Sequence, residues 1–262
     1  MSAFGAAIWT EFLKSRRSKV PWVIAAGFSF APLVEGLFMV ILKDPEHARQ
    51  LGLLGAKAQL SAGTADWPSF LHLLAETVGA AGTVLFAFLT AWLFGREFAD
   101  RTVRGLLAIP TPRPAIVVAK LIVLTVWCGA ISSWILVLGM GVGVLVGLPG
   151  WSSSLALSTV GSSAVAAGMC IALQTTTAFV AGVGRGYIPP LGWTVLVMAL
   201  AQVLGALGWA AWFPWAVPLL VVGAAGPAGE AATGVSVAVV VLAALLGLVA
   251  TVVWWQRADQ TG

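Results

Sequence analysis

The sequence predicts an all-α polytopic membrane protein with six transmembrane helices, and three observations carry that expectation. First, 60% of the 262 residues are hydrophobic and only 9% are Asp, Glu, Lys or Arg, whereas a soluble domain carries about a quarter charged residues. Second, six apolar runs are long enough to cross a hydrocarbon core of ~30 Å, and none shows the alternation of barrel strands. Third, Lys and Arg are unevenly divided among the loops those runs define, as topology requires.

The runs fall at about 21–42, 70–94, 115–147, 157–183, 190–208 and 234–255, in a single transmembrane domain over 1–262. Residues 1–19 precede them. Phe4, Ile8, Trp9, Phe12 and Leu13 fill one half of a helical wheel there, with Thr10, Glu11, Lys14 and Arg17 on the other. That pattern predicts a helix lying in the membrane interface, or else a plain positive flank. Lys14, Arg16, Arg17 and Lys19 follow a short apolar run. This is the reverse of signal-peptide order, so no cleavable leader is expected.

With the N-terminus inside, only Lys43, Arg49 and Lys57 of the 14 Lys and Arg lie outside. Both termini are therefore expected in the cytoplasm. Trp22, Trp92, Trp254 and Trp255 mark the inner boundary, and Trp67, Trp151, Trp209, Trp212 and Trp215 the outer one, as aromatic belts do. Residues 43–69 form the longest polar stretch. Residues 209–233 hold Pro214, Pro218 and Pro227, which break an otherwise apolar segment. A re-entrant outer segment before the last span is expected, packed against the bundle because its backbone must be satisfied within protein.

Between the second and third spans the chain reads FGREFADRTVRGLLAIPTPRP, residues 94–114. At helical period, Arg96, Glu97, Asp100, Arg101 and Arg104 share one face of a short helix over 96–109, and the opposite face is apolar. Glu97 with Arg101 and Asp100 with Arg104 are i,i+4 pairs, each worth only ~0.2–0.5 kcal/mol. Ile109-Pro110 ends the helix. Two readings stand: a topology loop, or a docking helix that offers its charged face to a cytoplasmic partner. A topology loop has no need of Glu97 and Asp100.

This stretch resembles the permease subunits of ATP-binding-cassette exporters of the type-2 class. The resemblance rests on Glu97, Phe98, Asp100, Arg101, Thr102, Leu106-Leu107-Ala108, Pro110 and Ala119-Lys120. EFLKSRRSKVPW, residues 11–22, is similar to the start of lantibiotic-immunity and bacitracin-resistance-like permeases. The resemblance implies that 96–109 is a coupling helix seated on a separate cytoplasmic ATPase subunit. Arg96, Glu97, Phe98, Asp100, Arg101 and Arg104 would make that contact, with 185–190 as a second one. It further implies a second permease copy, a bacterial cell membrane, a role in antibiotic resistance, and no cofactor on this chain. ATP and Mg would sit in the partner. No GxxxxGK[ST] loop occurs in the sequence, in keeping with that division.

Polar groups inside a membrane default to function. Glu35, His72 and Glu76 share a depth near the outer end, where they could gate an exit or bind a cationic group. An interfacial His72–Glu76 pair is the structural alternative. Gln174 and Gln202 are further pathway candidates, or else helix–helix hydrogen bonders. Gly139, Gly143 and Gly147 form a stripe for close helix approach, between spans or between protomers.

An apolar interior with few charges suits an amphipathic or hydrophobic cargo: peptide antibiotic, drug or lipid. Nothing suggests nucleic acid. Cys128 and Cys170 lie in apolar runs, without metal spacing. An ion-coupled secondary transporter would need carboxylates at mid-membrane. A membrane enzyme would show HExxH or GxSxG, which are absent. A non-transporting immunity or sensor protein remains the other alternative.

Overall fold

A computed structural model describes residues 2–44, 64–103, 105, 111–225 and 231–257. Among these residues every regular element is helical. α1 (Ala3–Arg17) is capped by Ser2, whose hydroxyl accepts from the Gly5 N–H. α2 (Val20–Lys43) follows at once, with Pro21 in its first turn, where a missing N–H costs nothing. α3 (Trp67–Ala99) starts at Asp66, whose carboxylate accepts from the Ser69 N–H at 2.9 Å. α4 (Arg113–Val146) closes on Gly147, which takes the left-handed φ of +67° that ends many helices. α5 (Ser153–Val183) and α6 (Ile188–Ala206) complete the central five spans. A 3-10 turn (Ala210–Trp212) and the short α7 (Val217–Val221) lead to α8 (Gly234–Arg257), the last span.

Six helices are thus long and apolar enough to cross a bilayer. α3 and α4, of 33 and 34 residues, run about 50 Å at 1.5 Å per residue, well beyond a ~30 Å core. α3 is the central element. In its most apolar window 67% of residues are buried, against 22–39% for the other five spans. It packs chiefly on α5, α5 on α8, and α2 on α4, while α1 lies across α4. Phe28, Phe86, Phe94, Val117, Leu124 and Trp255 belong to the main core. Met39, Trp67, Phe70 and Leu74 fill a second cluster at the other end.

The glycine stripe works within the chain. A Cβ at Gly139 would meet Leu74 at 2.5 Å, and one at Gly143 would meet Trp67 at 2.4 Å. The two glycines therefore let α4 close on α3. The broken segment after α6 packs inward, with Val217, Pro218, Leu219 and Leu220 of α7 buried against α3 and α5, and Ala210 buried in a cluster with Ala201 of α6 and Leu220. Residues 45–63, most of the polar outer stretch, lie outside the described residues, as do 226–230.

The expected single helix over 96–109 is corrected at its start. Residues 96–99 are the last turn of α3, and the chain leaves that helix at Asp100. Thr102 N–H donates to the Glu97 carbonyl and Arg101 N–H to that of Phe98, which is the Schellman closure. Arg101 occupies the left-handed position, at φ +56°, that glycine usually takes. Arg101 therefore does not continue the helical face of Arg96 and Glu97. Arg104 and 106–110 lie outside the described residues.

Candidate functional site

Lys120 is the most unusual residue of α4: a cation with 0% exposure inside the apolar run AIVVAKLIVL. An ammonium has three donors, and all three are used. One goes to Glu11 Oε2 at 2.9 Å, one to Glu97 Oε1 at 3.3 Å and one to the Leu93 carbonyl at 3.0 Å. Lys14 closes the ring, 2.9 Å from Glu11 Oε1 and 3.2 Å from Glu97 Oε1. The second Glu97 oxygen accepts from the Thr102 hydroxyl at 2.6 Å. Two carboxylates and two ammoniums thus form a neutral quartet that joins α1, α3 and α4. Burial alone would lower the Lys14 ammonium's pKa, but Glu11 and Glu97 more than offset this and hold it above its usual value.

The quartet explains how α1 sits. Its buried residues are the polar ones, Glu11 and Ser15, and Ser15 accepts from the Trp127 indole at 2.9 Å. Phe4 and Trp9 face outward. On the polar side of the wheel, Glu11 and Lys14 turn to the protein, whereas Thr10 and Arg17 are exposed. Glu97 is likewise corrected. It is 4% exposed, and its partners are Lys14 and Lys120 in place of Arg101. A carboxylate at this depth is stable only when paired, and the nearest helix supplies lysines.

The other sequence candidates divide. Arg96 lies over the Trp92 ring at 5.0 Å. Phe98 packs edge-on to Trp255 at 5.9 Å. Ala99, Asp100, Arg101 and Thr102 are exposed. Beside them runs the turn 184–187. A Cβ at Gly95 would meet the Gly186 carbonyl oxygen at 2.8 Å, so this glycine lets that turn reach the end of α3. Arg185 in that turn is also left-handed, at φ +50°. The two strained arginine turns of the described residues are therefore neighbours at one end of the bundle.

At the opposite end of α3, His72 lies 3.1 Å from Glu76, both partly exposed. Glu35 on α2 accepts from the Thr77 hydroxyl and leaves its other oxygen buried without a partner. Gln174 makes helix–helix hydrogen bonds. It is 2% exposed, donates to the Thr83 and Cys170 carbonyls at 3.3 Å each, and accepts from Thr90. Every polar atom of that side chain is spent clasping α3 to α5. Gln202 lines a cavity of about 370 Å³ between α3 and α6. A second cavity of about 620 Å³, edged by Lys19, Trp92, Asp100 and Tyr187, shares Phe88 and Leu191 with it. Together they follow one side of α3.

Sequence reasoning missed Lys120 as the centre of the quartet, and Glu11 and Lys14 as its partners. The signal was present: a lone lysine among ten apolar positions needs a carboxylate, and few lie on that side.

A family model described as ABC-2 family transporter protein matches residues 7–201. That stretch runs from α1 into α6 and holds the whole quartet and both arginine turns. The chain is also similar to the bacitracin transport permease protein BCRB of Bacillus licheniformis. It is 29% identical over 181 residues, covering 68% of this chain and 85% of that relative.

Proposed function

The chain belongs to the ABC-2 transporter family, and from that premise we propose that it is the membrane permease of an exporter energised by a separate ATPase subunit. The observation that carries the reading is the turn 99–102: exposed, charged and fixed to the central helix by the Glu97–Lys14–Lys120 ring. Asp100 and Arg101 meet the ATPase, with the 184–187 turn beside them. Glu97 acts from inside as the anchor that transmits the push to α1 and α4. ATP and Mg belong to the partner. The lysine and arginine asymmetry supports a topology with this end and both termini on the cytoplasmic side of a bacterial cell membrane.

A second permease copy completes the transporter. The linked cavities beside α3, apolar but edged by Lys19, Asp100 and Gln202, suit an amphipathic cargo such as a peptide antibiotic. The bacitracin transport permease to which the chain is similar supports that class. Glu35, His72 and Glu76 then receive a cationic group of the cargo at the exit, and 209–233 is the re-entrant outer segment.

The test is co-purification of the chain with a co-expressed ATP-binding-cassette ATPase subunit. Wild type retains the ATPase, and Asp100→Arg with Arg101→Glu loses it while the permease stays monodisperse. A complex indifferent to both reversals would reject the docking turn.

A further inference from the structure

The face of α2 and α4 away from α3 carries a groove that the transport reading does not use. It has a volume of about 660 Å³ and is lined by Trp22, Ala26, Ser29, Leu33, Trp127 and Trp134, among others. Its walls are held in place. Trp22 and Trp127 meet edge to face at 5.1 Å, and the Trp134 indole donates to the Ser29 hydroxyl at 2.9 Å. Between Trp22 and Leu33, α2 rises about 16 Å, half of a ~30 Å hydrocarbon core. The groove is therefore one leaflet deep.

Its mouth is cationic. The Trp22 indole donates to the Arg16 carbonyl at 3.2 Å, and that of Trp127 to Ser15. Both aromatic walls are thus tied to the last turn of α1, where Arg16 and Arg17 are exposed. Neither makes an ion pair with a described residue, whereas the nearby Lys14 makes two. Two free cations above an apolar slot one leaflet deep call for an anion that carries a hydrocarbon chain.

We propose that this groove is a binding site for an anionic phospholipid of the leaflet facing α1. The phosphate sits between Arg16 and Arg17, and one acyl chain lies between Trp22 and Trp134. The lipid thereby joins α1 to the bundle from the side opposite the quartet. The inference needs only that the helices span a bilayer, so it stands or falls apart from the transport reading.

The experiment reads tryptophan fluorescence of the purified full chain in phosphatidylcholine bilayers. Brominated phosphatidylglycerol is titrated against brominated phosphatidylcholine. Bulk quenching is common to both, so excess quenching by the glycerol lipid reports the site. Wild type shows the excess. Each of Arg16→Gln and Arg17→Gln weakens it about fivefold, and the double variant about 25-fold. Arg257→Gln, which removes an exposed cation of α8, leaves it unchanged. Ala26→Leu fills the slot, keeps the cations and also abolishes the excess. The single variants keep the test decisive where the double one fails to fold. Equal quenching by the two lipids, or an excess that survives Ala26→Leu, would overturn the site. So would Ser29→Cys chains that cross-link to each other across this groove, since a second copy would then occupy it.

Discussion

Lys14 and Glu97 lie 3.2 Å apart although 83 positions separate them in the chain. The contact binds the helix that precedes the spans to the turn that follows the second one. Lys120 repeats the link from α4 and leaves no donor spare. Behind the charged turn, a bundle whose spans are mostly apolar therefore holds a polar knot.

Removing one member of a buried charge set costs more than the set gains by forming, because the remainder is left unpaired. Lys120→Met leaves Glu11 and Glu97 facing each other and should destabilise the protein by about 3–5 kcal/mol. Combining Lys120→Met with Glu11→Gln should recover part of that loss. Thermal unfolding of the three variants in detergent checks both; equal loss in the single and the double variant would contradict the ring.

Alkaline pH should loosen the same knot. Lys14 has a folded pKa raised above its ordinary value, since Glu11 and Glu97 outweigh its burial. A raised pKa means that its stabilisation is complete below the unfolded value and fades as pH climbs through the folded one. The stability difference between wild type and Lys14→Gln should hold steady from neutral pH to about 10, then shrink. A gap that stays constant through strong alkali would show that Lys14 contributes packing alone.

Gly95 sets how near the 184–187 turn comes to α3. Its Cβ would fall 2.8 Å from a backbone oxygen, whereas one at Gly105 would meet nothing within 4 Å. Gly95→Ala should cost about 1–3 kcal/mol and push the two arginine turns apart. Gly105→Ala should be neutral. Denaturant unfolding of the pair distinguishes them, and a neutral Gly95→Ala would mean that the turn yields.

Much of this architecture was legible in the sequence, because length and apolarity alone decide which segments can cross a bilayer. All six spans could be placed, and so could the close approach at Gly139 and Gly143. What could not be read was which way each polar group turns. The wheel assigned Glu97 to the same face as Arg101, correctly for an unbroken helix. The left-handed turn at Arg101 ended that helix and parted the two. Glu11 and Lys14 read as a solvated edge because their partners are far along the chain. Gln174 read as either pathway polarity or a helix–helix hydrogen bonder, since sequence does not say that Thr83 and Thr90 stand opposite it.

The depth of α3 within the bundle has a mechanical consequence. A force delivered to the chain just past Glu97 enters along the axis of the structure, not at its rim. The Gln174 clasp then hands it to α5, and the lysine ring to α1 and α4. A small tilt at one end thus becomes a concerted shift of most of the helices that meet the lipid.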